Sequence, residues 1–251
     1  MPDMTTIEAR IDAEIARIAG EAGARPFAPP ALITRDVLER CAHFESFPGM
    51  AIPAGREDAF LTPAACYHVY PTLQSCRLDE PGVLTLAARC GRNEKDSDEA
   101  PGRLREFRMR EVVFVGPSGW VSQTRNQWMT RALELARSLG LDGSMDAATD
   151  TFFQDQGVRG AGRQRVGGPG TRWSPGRGRR LLQQLKGLKY ELRMDAGGAV
   201  LAVSSFNLHE SFFTSRFDIA MADGTPAASG CAAFGIERWA LAYQSHHACF
   251  R

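Results

Sequence analysis

Residues 83–116 read VLTLAARCGRNEKDSDEAPGRLREFRMREVVFVG. In the first run Leu84, Leu86, Ala88, Cys90, Arg92 and Glu94 recur at every second position, so an extended chain puts them on one face. The apolar strip therefore ends in an arginine and a glutamate that point the same way. A charged loop, KDSDEAPGRLRE at 95–106, follows. The chain then returns with Phe107, Met109, Glu111, Val113 and Val115 on one side of a second alternating run. Two such runs across one loop predict a long-looped antiparallel hairpin, and with it a sheet of antiparallel type.

Working outward, the spacing on the N-terminal side predicts helices. Thr5 with Glu8 fits a capping box, Ile7, Ile11, Ile15 and Ile18 form one stripe, and Gly20 and Gly23 end it. RPFAPPALI at 25–33 is extended and proline-ended, and Thr34 can cap a second helix through Val37, Leu38 and Cys41. Ala59 to Leu61 begin a strand leading into TPAACYHVYPTL. On the C-terminal side Ser122 opens a helix through Trp128, Ala132, Leu135, Ala136 and Leu139, ended by Gly140. LLQQLKGL predicts another, and KYELRM and AVLAVSSF pair as strands across DAGG. SGCAAFGIERWALAY at 229–243 is a glycine-ended turn followed by an amphipathic helix. Helices, strands, then helix, hairpin and helix make an α+β plan in one domain over residues 1–251.

With 43% apolar and 24% charged residues, disorder and fibres are excluded for the chain as a whole. No apolar run approaches the roughly 20 residues of a membrane span, and the N-terminus lacks a signal-peptide core, so no membrane role and a cytoplasmic location are expected. Thirty basic and 29 acidic side chains nearly cancel, which argues against a protein that coats nucleic acid. Any anion site must be local. The stretch 158–180, VRGAGRQRVGGPGTRWSPGRGRR, is the basic exception, readable as a flexible surface loop or as a clamp for an anionic partner. The six cysteines contain no CxxC pair. Cys66 and Cys231 can be small core residues or ligands gathered from distant strands. Glu111 lies among apolar neighbours, where a carboxylate needs an arginine of the hairpin or a metal ion.

FAPPALI, FLTPAACYHVYP, the hairpin, LLQQLKGLKYEL, SSFNLHESFF and SGCAAFGIERWALA together resemble one family, in its order and over almost the whole chain. It is the amino acid:[carrier protein] ligases, built on the class II aminoacyl-tRNA synthetase core and related to the atypical zinc-dependent seryl-tRNA synthetases. The resemblance implies that Arg92 holds the ATP α-phosphate and Glu94 meets the adenine amino group, with Gly91 standing where the family has an aromatic residue. It makes Gly235-Ile236-Glu237-Arg238 the third class II motif, with Arg238 on the ATP phosphates. Pro29 and Pro30 resemble the first motif, a dimer contact, so a homodimer is expected. Cys66, Glu111 and Cys231 match the family's Zn²⁺ ligands, with the substrate amine completing the shell. Asn207, His209 and Lys189 fall in segments that approach the substrate pocket in related folds.

The activity so implied is attack of a small amino acid, glycine or alanine, on ATP, with Mg²⁺ on the phosphates. The aminoacyl group would pass to the phosphopantetheine thiol of a carrier protein. A chain of 251 residues leaves no room for the added domain that binds tRNA in synthetases. Two alternatives stay open from sequence: transfer to another acceptor, such as a tRNA fragment, a peptide or a small amine, and a silent paralogue that only binds an amino acid.

Overall fold

The computed structural model describes residues 3–55, 58–94, 102–148 and 187–248. The basic stretch 158–180, and residues 181–186 of the helix expected through LLQQLKGL, lie outside them.

The hairpin forms as its alternation dictates. Strands β5 (Gly82–Gly91) and β6 (Glu106–Gly116) pair antiparallel from Gly82 opposite Val115 to Gly91 opposite Glu106. They sit in a seven-stranded sheet with β1 (Arg25–Pro26), β7 (Gly143–Ala147), β8 (Lys189–Asp195), β9 (Val200–Glu210) and β11 (Ala228–Gly235). Its order is β1-β5-β6-β11-β9-β8-β7, antiparallel throughout except where β1 runs parallel to β5. The expected α+β class is correct. The β8–β9 turn closes as expected: Gly197 and Gly198 take positive φ (+77° and +92°), and Asp195 Oδ1 accepts both their amides at 3.1 and 3.2 Å.

Three long helices cover one face: α1 (Met4–Glu21), α5 (Ser118–Ser138) and α7 (Ile236–Ala248). Ile7, Ile11 and Ile15 of α1, Trp128 and Ala132 of α5 and Trp239 of α7 pack there on Val112, Phe114, Phe206 and Phe234 of the sheet. Period-two alternation sends Val113, Val115, Leu86, Cys90 and Cys231 to the opposite face. That face is covered by shorter pieces: the hairpin of β2 (Leu32–Thr34) and β3 (Ala59–Leu61), helices α2 (Arg35–Arg40), α3 (His43–Ser46), α4 (Val69–Thr72) and α6 (Phe212–Arg216), and the small ladder of β4 (Arg77–Leu78) with β10 (Ala220–Met221). Because these pieces are short, they leave part of the face open, and the clefts lie there.

Several expectations need correction. Asp3, not Thr5, caps α1, its carboxylate accepting from Thr6 N–H at 2.8 Å, while Glu8 reaches Arg108 across the interface. Helix α5 opens at Ser118, one turn before Ser122. After β3 the chain does not continue as a strand but makes a 3₁₀ turn, Ala65–His68, and then α4. The 229–235 stretch is a central strand, not a turn, and β7 forms a sheet edge where no strand was expected.

Candidate active site

Strand register decides which side chains meet. Ala233 of β11 lies opposite Glu111 on β6 and Ser205 on β9, and Cys231 lies opposite Val113 and Asn207. Lys189 and Glu191 of β8 lie opposite Asn207 and Ser205. Opposed residues in an antiparallel sheet share a face. The open face therefore carries Glu111, Cys231, Ser205, Asn207 and Lys189 around the small side chain of Ala233, which leaves space above the strands.

Cys66 comes down on this face from the 3₁₀ turn. Its sulfur, the Cys231 sulfur and a Glu111 oxygen lie within 4.8 Å of one another, and all three residues are at least 95% buried, with exposures of 5%, 3% and 2%. Glu111 Oε1 accepts the Ala65 amide at 2.9 Å, which ties the 3₁₀ turn to β6. Its Oε2 is buried with no hydrogen-bond partner among the described residues. Alternation turns two arginines of the hairpin away from Glu111, while Arg92, which lines the same cleft, partly offsets through its charge the rise that burial gives the Glu111 pKa but donates its Nε hydrogen bond to Pro63 O. Arg108 and Arg110 point to the helix face, where Arg108 pairs with Glu8 and Glu237 and Arg110 pairs with Asp12 at 2.5 Å.

Without a cation this cluster resists ionisation. The Cys66 thiol is pushed well up, first by its hydrogen bond with Cys231, then by burial and by the Glu111 charge. Burial also raises the Glu111 carboxyl, more than its hydrogen bonds from Cys66 and Ala65 lower it. Two sulfurs and one carboxylate form a donor set suited to Zn²⁺ with a fourth position open, and the orphaned Oε2 is the atom a cation would satisfy. A divalent ion would also offset the buried negative charge.

The cluster lines a cleft of 390 Å³ that also touches His43, Tyr67, Arg92, Asn207, His209 and Lys189. A second cleft, 520 Å³, extends toward α7 and is lined by Arg92, Glu94, Arg103, Phe107, Glu191 and Arg238 among others. Arg92, Glu94, Met109, Lys189, Ser205 and Ala233 border both, so the two form one continuous site. The nine residues singled out from sequence all line it.

Backbone acceptors hold both arginines in place. Arg92 Nε donates to Pro63 O at 2.7 Å, and its guanidinium stands 5.2 Å over the Phe107 ring. Arg238 Nε donates to Gly102 O and its Nη1 to Ala202 O, both at 2.8 Å, and burial pulls its pKa below the usual arginine value. Gly91, where an aromatic residue stands in the family pattern, has a steric reason: an added Cβ would lie 2.8 Å from Leu61 Cδ1. The aromatic ring beside Arg92 is that of Phe107.

Some contributors were not singled out from sequence. Glu191 sits between Lys189 at 2.9 Å and Arg193 at 3.6 Å, and Ser205, Tyr67 and His43 also face the clefts. For Glu191 and Ser205 the strand period was available in KYELRM and AVLAVSSF. For His43 and Tyr67, on short helical turns, no periodic signal exists.

The chain is 33% identical, over an alignment of 258 positions that takes in 90% of its length, to "Amino acid--[acyl-carrier-protein] ligase 1" of Bradyrhizobium diazoefficiens, and covers 73% of that protein. A second ligase of this name from the same organism is 32% identical over 87% of the chain and 68% of the relative. Among solved structures, the seryl-tRNA synthetase of M. kandleri, in complex with A. aeolicus tRNASec, superposes with a TM-score of 0.77 at 18% identity over 97% of the chain. The chain spans about half the length of that synthetase, 51%. No family model matches the chain. On the strength of these relatives and this fold, the chain belongs to the amino acid:[carrier protein] ligases, enzymes built on the class II synthetase catalytic core.

Proposed function

We propose that residues 1–251 act as one catalytic domain that activates glycine or alanine with ATP and passes the aminoacyl group to the phosphopantetheine thiol of a carrier protein. The observation that supports this best is the continuity of the two clefts: a buried Cys66, Glu111, Cys231 cluster at one end and Arg238 at the other, with Arg92 bordering both. In this reading Cys66, Glu111 and Cys231 hold Zn²⁺. Zinc bound there would supply a Lewis-acid site for the substrate's free α-amine.

The remaining chemistry falls to the chain's own residues. Substrate carboxylate and ATP are both anions, so cations must stand between them before reaction. Arg92 takes the α-phosphate, Arg238 the outer phosphates with Mg²⁺, and Glu94 the adenine amino group. In this reading Lys189, ion-paired to Glu191 at 2.9 Å, faces the substrate carboxylate. A carboxylate oxygen attacks the α-phosphorus, the bond to pyrophosphate breaks, and the carrier thiol then attacks the acyl carbon with AMP leaving. No side-chain nucleophile is required. Glycine or alanine as the substrate is what the family resemblance implies.

The acceptor is a carrier protein in preference to tRNA, and two copies form the active particle. A cytoplasmic setting suits the five cysteines that are free among the described residues. Among those residues no helix is long and apolar enough to cross a membrane. Incubation with ATP, glycine or alanine and a phosphopantetheinylated carrier protein tests the reading by intact-protein mass spectrometry. A mass gain of one aminoacyl group on the carrier supports it. Adenylate formation with no loading of the carrier would replace the acceptor, and no adenylate would favour a silent binding protein.

A further inference from the structure

Beneath the Cys231 sulfur lies a buried polar network that the reaction as described does not use. Asn207 Nδ2 donates to Cys231 Sγ at 3.3 Å, and His209 Nε2 lies 3.6 Å from the same sulfur. On the other side of the imidazole, Nδ1 stands 2.9 Å from Tyr70 Oη and 3.2 Å from Ser229 Oγ, and those two hydroxyls are 3.2 Å apart. Tyr70, His209, Asn207 and Ser229 are all buried. Tyr70 is fixed in turn by stacking on Phe213, with ring centroids 4.4 Å apart.

A hydroxyl can donate to Nδ1 only if that nitrogen is unprotonated, and a neutral imidazole then carries its proton on Nε2. That tautomer aims an N–H at the sulfur. We propose that the Tyr70–Ser229–His209 triangle and Asn207 are positioning residues for the Cys231 thiolate, presenting it with two N–H donors and so tuning the metal it would hold. This rests on the zinc reading above and assigns Asn207 and His209 to the ligand instead of to the substrate.

The physical gain is twofold. Two thiolates and a carboxylate exceed the charge of one divalent ion, and N–H donors stabilise the excess negative charge in a site away from water. A thiolate that accepts hydrogen bonds also gives less electron density to the metal, leaving it a stronger acceptor for an amine in the open position. Groups behind a metal ligand act this way in general, and losing one weakens metal binding by about 10- to 100-fold.

The test uses the full chain with Co²⁺ in place of zinc, reading thiolate-to-cobalt charge-transfer absorption, together with Zn²⁺ affinity by chelator competition. Tyr70→Phe removes the hydroxyl and keeps the ring stack; Asn207→Leu removes the amide donor directly and serves should Tyr70→Phe fail to fold by circular dichroism. The expected result is a shift of the charge-transfer band to longer wavelength and zinc affinity lower by about tenfold or more. A folded variant with unchanged band and affinity overturns this inference and leaves the zinc reading standing. A parent protein that binds neither metal overturns both.

Discussion

Glu111 is a carboxylate on an apolar strand face with one oxygen bonded to Ala65 N–H and the other orphaned. Its oddity was legible in the sequence, because period two put it between Met109 and Val113. Which groups meet it was not legible from spacing, since Cys66 and Cys231 come from segments far along the chain, and only the family resemblance joined the three. Removing a ligand should therefore empty the site without unfolding the sheet: Cys231→Ala is expected to lower zinc by elemental analysis from about one per chain to background, with an unchanged circular dichroism spectrum. Equal zinc in variant and parent would contradict the ligand assignment. Arg238 sits on two backbone carbonyls, so its position does not depend on ligand. Charge-assisted contacts of about 1.5–3 kcal/mol and about 1.4 kcal/mol per factor of ten imply that Arg238→Ala lowers kcat/KM for ATP by roughly 10- to 150-fold. Steady-state kinetics with ATP varied would check this, and an unaltered value would remove Arg238 from the phosphate site.

At the scale of elements, legibility followed periodicity. β5 and β6 alternate cleanly and were read correctly, and β8 and β9 were found from the DAGG turn between them, without the register shift between Leu192 and Arg193. β11 was not, because ASGCAAFG is buried on both faces and small, and such a run has no alternation to distinguish it from a turn. The strand's small residues have a packing cause. A Cβ on Gly230 would lie 2.4 Å from a Phe114 ring carbon and 2.6 Å from Asn207 O, next to the register shift between Ser229 and Gly230. Gly230→Ala is accordingly expected to destabilise the fold by about 1–3 kcal/mol in urea unfolding, with reduced zinc content as Cys231 shifts. A variant as stable as the parent would mean β11 can yield at this point. β7 was missed because GSMDA is short, polar and at the sheet edge.

For the molecule as a whole, burial of neutral histidines sets the response to acid. Burial pushes His43 and His68 down to about 4 and His209 to about 3, from 6.5. The unfolded chain takes up these protons below pH 6.5 while the folded protein refuses them, so the stability they contribute is complete above 6.5 and is lost as pH falls toward 4 and then 3. Glu111 acts with the opposite sign in the metal-free protein: its raised pKa gives stability below 4.5 that is lost as pH rises. Glu237, raised chiefly by burial, acts in the same sense as Glu111, and three imidazoles against these two carboxyls leave a net loss on acidification. Urea midpoints of the metal-free protein should fall between pH 7 and pH 4.5, and a constant midpoint would contradict the buried neutral histidines. Zinc should raise the thermal midpoint, by an amount equal to about 2.7 kcal/mol when present at a hundred times its Kd, and a chelator should reverse it.

In the proposed function, two clefts meeting at Arg92 bring a zinc-held amino acid to ATP. Amino-acid-dependent exchange of labelled pyrophosphate into ATP measures that step alone, without a carrier protein. Exchange with glycine or alanine that disappears in Cys231→Ala is expected; absence of exchange with every amino acid would contradict this function.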